Sequence, residues 1–163
     1  MNILYLHGLE SRLSDVKRDV LLPFGNVFAP DLDYKNNAEI FDWILDFYKN
    51  QSFDGVIGSS MGGFMGYYIA MHLNIPALLF NPALPIRSLN QNIPQSIEVK
   101  NNQRFSFVLG SQDETVPAVS NLKYFAENLV STMHYSIKIR PDLAHQIPLE
   151  IFEEECSTFL RSL

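Results

Sequence analysis

The chain has 163 residues, of which 47% are hydrophobic and 18% charged, and its formal net charge is −6 at pH 7. This length and hydrophobic fraction predict one domain, residues 1–163, with a single buried core, and they exclude a disordered protein. The acidic balance and the lack of a Lys/Arg-rich run argue against nucleic acid and anionic membrane surfaces as partners, since both require a concentrated basic face.

The compartment is suggested by two further features of the sequence. The single cysteine, Cys156, cannot form an internal disulfide and fits a reducing environment. The first residues lead directly into an apolar run without the basic segment and cleavage site of a secretory signal, and no stretch is long enough to span a bilayer. We therefore expect a soluble cytoplasmic protein, whose oligomeric state the sequence leaves open.

Strand and helix signals alternate along the whole chain. Short apolar runs bounded by Gly, Pro, Asn or Asp predict strands at about 2–6, 26–29, 54–58, 76–80, 105–109 and 134–140. Hydrophobic residues at helical spacing predict helices between these strands, ending near residue 22, at about 37–50, 61–73 and 119–129, and from about 148 onwards. In the helix at 119–129, the predicted apolar face consists of Val119, Leu122, Ala126 and Leu129.

This alternation predicts an α/β fold: a three-layer α/β/α sandwich around a mostly parallel sheet of about six strands. In such sheets ligands bind beyond the carboxyl ends of the strands. The longest irregular stretch, residues 81–103, is rich in Asn, Gln, Pro and Ser. A loop of that length in a compact domain usually covers a site or is mobile.

A serine stands at the junction of the third predicted strand and the following helix. The segment Gly58-Ser59-Ser60-Met61-Gly62 has the spacing Gly-x-Ser-x-Gly of a nucleophile elbow, a sharp strand-to-helix turn that exposes its central serine above the sheet. Glycines two residues either side of Ser60 are needed because a Cβ there would crowd the turn. Ser60, rather than Ser59, is the candidate nucleophile.

Two further strand ends supply an acid and a base in the order that this kind of fold requires. A serine needs a base to take its proton, and the base needs an acid to orient it. On this fold the chain order is Ser, then Asp or Glu, then His. Asp113 follows the fifth strand and His145 follows the sixth, so we predict a Ser60–Asp113–His145 triad.

The developing oxyanion needs two backbone N–H donors. We assign one to Met61, the residue after the nucleophile, and the other to Leu9 in the loop after the first strand, where Gly8 lets the backbone turn close to the site. His7 is expected to shape that loop through hydrogen bonds. Phe64, one helical turn beyond the elbow, is the candidate substrate contact, although its helical spacing with Tyr67 and Tyr68 also fits the core.

Other residues compete for these roles. Glu114 and Asp142 are alternatives to Asp113 as the acid, but Asp142 is better explained as a turn residue. His134 and His72 lie at a strand start and in mid-helix, away from the predicted site. A nucleotide-phosphate loop is the other interpretation of the glycine-rich turn, but both its spacing and its lysine are missing.

Four segments resemble the bacterial YqiA-like esterases, which are small members of the α/β-hydrolase superfamily: residues 4–8, 57–64, 81–83 and 110–114. The resemblance runs through nearly the whole chain and implies a minimal α/β-hydrolase fold without a cap domain. It also implies a triad at Ser60, Asp113 and His145 that hydrolyses carboxylic esters, with a preference for short acyl chains.

The sequence therefore predicts a carboxylesterase-type serine hydrolase that cleaves small-molecule esters or thioesters through an acyl-enzyme and requires no metal or cofactor. Acyl transfer or peptide-bond cleavage by the same triad remains an alternative. A non-catalytic binding protein on a hydrolase scaffold is a third possibility, although such proteins usually lose a triad residue and none is missing here.

Overall fold

The computed structural model describes residues 1–97, 103–129 and 131–163, and in these ranges it contains one six-stranded sheet. The strands are β1 (Asn2–Leu6), β2 (Asn26–Phe28), β3 (Gly55–Ser59), β4 (Ala77–Phe80), β5 (Arg104–Gly110) and β6 (His134–Arg140). They lie in the order β2-β1-β3-β4-β5-β6, and every neighbouring pair is parallel. The predicted parallel sheet is confirmed, with strand ends close to those expected.

Helices cover both faces of the sheet, which confirms the three-layer architecture. They are α1 (Asp15–Leu21), α2 (Ile40–Phe47), α3 (Met61–Leu73), α4 (Ala118–Asn128) and α5 (Leu149–Leu160). A short 3-10 turn, Leu22–Phe24, follows α1, where Pro23 cannot continue the α-helix. Helices α1 and α5 share one core cluster, and α2, α3 and α4 share the other.

The central strands are buried on both faces because helices cover each side. In β1, Leu4 and Leu6 point into the cluster under α3, whereas Ile3 and Tyr5 point into the cluster under α1 and α5. This explains why β1 reads as a continuous apolar run rather than as an alternating one. No helix in the described part of the chain combines the length and the apolar character needed to cross a membrane.

The strand order places a crevice at the carboxyl ends of β1 and β3. After β1 the chain continues to β2, which lies toward one edge of the sheet. After β3 it continues to β4, which lies toward the opposite edge. The loops after β1 and β3 therefore diverge, which is the switch point where parallel sheets bind ligands. The loop after β1 holds Gly8 and Leu9, and the turn after β3 holds Ser60.

The predicted apolar face of α4 is wrong. Val119 is 71% exposed and Leu122 is 36% exposed, whereas the buried residues of this helix are Asn121 and Phe125. The ring of Phe125 packs on Phe107 of β5 with their centroids 4.2 Å apart. Phe125 fills the space over β5, and Tyr124 and Leu129 pack beside it partly buried, so Val119 and Leu122 are turned outward.

The predicted irregular stretch 81–103 is described as far as residue 97, and residues 98–102 lie outside the described residues. The described part contains no helix or strand, and hydrogen bonds connect it to the loop before α2. Buried Gln91 donates from Nε2 to the backbone oxygens of Tyr34 and Asn37, both at 3.0 Å. Nearer the start of this stretch, residues from Ala83 to Ser88 reach the crevice at the strand ends.

Candidate active site

Ser60 occupies a strained turn between β3 and α3. Its backbone angles, φ 53° and ψ −115°, lie in a region that residues with a side chain rarely adopt. The close approach of neighbouring backbone explains the flanking glycines. A Cβ on Gly58 would stand 2.4 Å from the oxygen of Gly62, and a Cβ on Gly62 would stand 2.0 Å from the oxygen of Leu6. The turn therefore has the steric properties of a nucleophile elbow.

Asp113 and His145 are brought into direct contact from the ends of β5 and β6. His145 Nδ1 lies 2.8 Å from Asp113 Oδ2, so Nδ1–H donates to the carboxylate. The Asp113 side chain is fully buried, and its Oδ1 accepts the backbone N–H groups of Thr115 and Val116, each at 2.8 Å. Because both oxygens of the Asp113 carboxylate accept hydrogen bonds, the carboxylate is held in one orientation. It thereby fixes the orientation of the His145 ring, whose Nε2 remains free.

Asn81 is a positioning residue that the sequence analysis did not assign. It follows β4, is 1% exposed and has φ 41°. Its Oδ1 accepts the N–H of Gly110 at 2.7 Å, and its Nδ2 donates to the oxygen of Ala144 at 2.8 Å. One side chain thus ties the start of the loop that carries Asp113 to the residue before His145. The only signal in the sequence is a polar residue at a strand end followed by proline.

A cavity of about 710 Å³ joins the elbow to the acid–base pair. Ser60 and His145 both line it, together with Gly8, Leu9 and Met61. Both residues line the cavity, and among the described residues no hydrogen bond joins the His145 side chain to Ser60. In unliganded enzymes such catalytic hydrogen bonds are often long and shorten when substrate binds.

The loop after β1 lies against the elbow. A Cβ built on Gly8 would be 3.3 Å from the Cβ of Ser60, which is tighter than an ordinary contact, so a side chain at this position would press the loop away from the elbow. His7 holds the loop: its Nδ1–H donates to the oxygen of Gly8 at 2.7 Å, and its Nε2 accepts the N–H of Leu32 at 2.8 Å. These are hydrogen bonds of the kind expected of a residue that shapes this loop.

The two predicted oxyanion donors face the same cavity. Met61 is the first residue of α3, where the N–H has no acceptor within the helix. The N–H of Leu9 donates to no acceptor among the described residues. Backbone donors at the start of a helix and in an adjoining loop can together bind a negatively charged oxygen.

Phe64, the predicted substrate contact, lies behind the cavity wall and not in it. It is 1% exposed, packs against Tyr68, and is not among the residues that line the cavity. The guanidinium of Arg87 stacks on its ring, with Cζ 4.2 Å from the ring centroid. Arg87, unlike Phe64, lines the cavity. Phe64 points inward because α3 packs this face against the sheet, where the ring joins the core cluster.

The competing candidates lie elsewhere. Glu114 is exposed, and Asp142 binds Arg140 through both carboxylate oxygens at 3.0 and 2.9 Å. His134 and His72 are exposed at the start of β6 and on α3. Cys156 is fully buried in the core, and burial raises the pKa of its thiol.

Solved structures with this fold cover nearly the whole chain. Est1E from Butyrivibrio proteoclasticus is 17% identical, with a TM-score of 0.69 over 99% of this chain and 87% of that one. The monoacylglycerol lipase from Paleococcus ferrophilus is 14% identical, with a TM-score of 0.70 over 99% and 94%. A protein from Xanthomonas campestris described as a hydrolase of the alpha/beta superfamily is 16% identical, with a TM-score of 0.67 over 99% and 98%.

At these identities the likeness shows the fold alone: the chain has the α/β-hydrolase fold, and no cap domain is evident in its described residues. Residues 2–107, more than half of the chain, match the model of the uncharacterised protein family UPF0227. The chain therefore belongs to this family, and the resemblance to the YqiA-like proteins is confirmed. The match includes the elbow and ends before Asp113. Comparison with curated proteins found no match.

Proposed function

We propose that this protein is a serine hydrolase that cleaves short-chain carboxylic esters or thioesters through an acyl-enzyme at Ser60. The observation that carries the proposal is the shared cavity: Ser60 on its strained turn and His145, oriented by buried Asp113, line the same space. These side chains come from the ends of three different strands. Outside catalysis, a buried carboxylate aligned on a half-exposed histidine beside such a turn has no evident purpose.

The reaction follows from the positions of these groups. Nε2 of His145 takes the proton of Ser60 Oγ as the oxygen attacks the acyl carbonyl. Asp113 keeps the Nδ1–H tautomer in place and stabilises the imidazolium that forms. The N–H groups of Met61 and Leu9 bind the tetrahedral oxyanion, an interaction worth about 3 kcal/mol per donor.

Breakdown of the intermediate reverses the proton transfer. His145 gives its proton to the departing alcohol or thiol, which leaves Ser60 acylated. The histidine then deprotonates a water molecule that attacks the acyl-enzyme, and the second tetrahedral intermediate releases the acid and restores Ser60. The reaction as written uses only protein groups and water, and we assign it to the cytoplasm because the single cysteine cannot form an internal disulfide.

A fluorophosphonate probe tests the nucleophile directly. We expect the wild-type protein and Ser59→Ala to be labelled, whereas Ser60→Ala is not. Ser59→Ala is the matched control because the two serines are adjacent and only one is at the centre of the elbow. Labelling that persists in Ser60→Ala would remove Ser60 from this role.

Chain-length preference is tested with 4-nitrophenyl esters of increasing acyl length. We expect acetate and butyrate to be hydrolysed faster than palmitate, because no cap domain is evident in the described residues to enclose a long chain. A faster reaction with palmitate would contradict the short-chain part of the proposal and leave the nucleophile assignment intact. Product analysis with added alcohol or amine distinguishes hydrolysis from acyl transfer.

A further inference from the structure

The cavity extends past Ser60 to a polar floor that the proposed chemistry does not use. Tyr5 of β1 and Lys17 of α1 both line it, on the side of the sheet covered by α1 and α5. Both side chains lie against Phe152: the Lys17 ammonium is 5.2 Å from the ring centroid, and the Tyr5 ring is 6.0 Å from it. We call this pair of side chains the Lys17–Tyr5 floor.

The Lys17 ammonium lacks an anionic partner within the described residues. It donates one hydrogen bond, to the backbone oxygen of Ile147 at 2.7 Å, and none of the ion pairs in that part of the chain includes it. An ammonium has three donors, so two remain for a ligand. Partial burial removes water from this group and lowers its pKa, which an anion beside it would counteract.

The Tyr5 hydroxyl is a second, independent indication. Tyr5 is only 4% exposed, yet its hydroxyl has no hydrogen-bond partner among the described residues. The hydroxyl is not among the fully buried side-chain atoms that lack a partner, so it keeps contact with the cavity, where water or a ligand can satisfy it. Its place in the cavity lining makes it available to a ligand that reaches the floor.

The other charged residues that line the cavity are mostly basic, like Lys17. Arg12 and Arg87 line it as well, whereas the only carboxylate residue among its described lining residues, Glu10, is paired with Lys35. This excess of positive charge occurs in a chain whose net charge is −6. A cleft lined by charges of one sign concentrates ligands of the opposite sign.

We propose that the Lys17–Tyr5 floor binds a carboxylate or phosphate group of the substrate, so that the preferred substrates are esters of anionic molecules. The Lys17 ammonium and the Tyr5 hydroxyl would each donate to the anionic oxygens, while the ester carbonyl lies at Ser60. This inference rests on the proposed function, since it names the substrate class for the same cavity.

Paired esters measure the preference. Mono-4-nitrophenyl adipate carries a carboxylate on its acyl chain, and 4-nitrophenyl hexanoate is its uncharged match. A second pair, 4-acetoxybenzoate and 4-acetoxybenzamide, carries the charge on the leaving group instead. We expect the wild-type kcat/KM, corrected for spontaneous hydrolysis, to favour the charged member of at least one pair by roughly ten- to a hundredfold, as charge-assisted hydrogen bonds do.

Lys17→Met keeps the length of the side chain and removes its charge, so it should lower kcat/KM for the charged ester much more than for the neutral ester, and the preference should disappear. Lys17→Arg should keep part of it, and Tyr5→Phe should reduce it by a smaller factor. The matched control is Lys49→Met, which removes an exposed lysine paired with Asp46 outside the cavity. A purely structural role for Lys17 would lower both members of a pair equally, and that result overturns the proposal.

Binding provides a readout that does not depend on turnover. We expect Ser60→Ala to bind monoethyl adipate at least tenfold more tightly than ethyl hexanoate in titration calorimetry, and Ser60→Ala/Lys17→Met to lose the difference. If the wild-type protein hydrolyses no ester and is not labelled by the fluorophosphonate, the proposed function fails, yet this titration still decides the anion site. Equal affinities for the two esters in Ser60→Ala would overturn it.

Discussion

The two halves of the candidate site are held in place by different interactions. The elbow is positioned by backbone: Ser60 donates its N–H to Phe80 at 3.0 Å, its oxygen accepts the N–H of Ala83 at 3.0 Å, and neighbouring segments approach too closely for side chains. The acid–base half is positioned by side chains, namely Asn81, Asp113 and the arginine at the end of β6. The nucleophile therefore depends on steric fit, and the general base on hydrogen bonds.

This difference has consequences for mutation. Backbone packing tolerates no added atoms but is insensitive to charge, whereas a hydrogen-bond network fails when a donor, an acceptor or a charge is lost, even if the shape of the side chain is kept. Substitutions in the elbow should therefore lower stability, and isosteric substitutions around His145 should lower activity first.

Asp113→Asn should have the largest effect on activity. The amide can still accept the N–H groups of Thr115 and Val116, so the loop is retained, but it does not stabilise an imidazolium and favours the wrong histidine tautomer. We expect kcat/KM for 4-nitrophenyl butyrate to fall by about 10⁴-fold with an unchanged denaturation midpoint. Exposed Glu114 supplies the control, and Glu114→Gln should retain full activity. A loss in Glu114→Gln instead would reassign the acid.

Gly62→Ala should have the largest effect on stability. Its Cβ would stand 2.0 Å from the oxygen of Leu6 and 2.4 Å from that of His7, so β1 and α3 must move apart. We expect the free energy of unfolding in urea to fall by roughly 3 kcal/mol or more. Gly55→Ala, in the strand before the elbow, is the control: its Cβ would meet only side-chain atoms, the nearest at 3.1 Å, and should cost about 1 kcal/mol. Equal costs would contradict the steric account.

Asn81→Gly tests the link between the two loops of the acid–base half. Glycine accepts the backbone angle of φ 41°, so the change avoids backbone strain while it removes the buried side chain and its hydrogen bonds to Gly110 and Ala144. We expect a loss of about 2 kcal/mol in unfolding free energy and a lower kcat, because buried backbone groups lose their partners and His145 loses its alignment.

The matched control for that substitution is Asn74→Gly. Asn74 has φ 53° at the end of α3, is exposed, and makes no side-chain hydrogen bond within the described residues. We expect Asn74→Gly to leave both stability and kcat nearly unchanged. If the two variants behave alike, the hydrogen bonds of Asn81 are not what positions His145.

Lowering the pH should destabilise the acid–base half of the site. We expect this to be the smallest of the four effects predicted here. Hydrogen bonds from Arg140 hold the pKa values of Asp142 and Glu154 below their usual values of 3.8 and 4.5. A carboxylate whose pKa is lowered by folding stabilises the protein above its unfolded pKa, and this contribution is lost as pH falls through the folded value.

The measurement is the unfolding free energy of the wild-type protein and of Arg140→Met between pH 7 and pH 3. We expect the wild type to be the more stable at pH 7, and the difference to shrink below about pH 4.5, where these carboxylates take up protons. A difference that stays constant over this range would show that Arg140 acts through packing alone.

Much of the fold could be predicted because its signals are local. Each strand is a short apolar run, and Pro23 and the polar stretch at 81–97 interrupt the pattern where the structure is irregular. The rotation of α4 could not be predicted, because it depends on the contact of Phe125 with Phe107, which is eighteen positions earlier in the chain and on another element. Phe64 was misplaced for a similar reason, since its direction depends on how α3 packs against the sheet.

By itself the sequence determined the elbow and the order of the reactive residues, because glycine spacing and chain order are properties of the chain. Only the tertiary structure decided which polar groups meet: Asn81 joins two loops, the side chains of Asp113 and His145 touch, and Lys17 and Tyr5 line the same cavity as Ser60. Such contacts join residues far apart in the chain, and the sheet brings them to one edge.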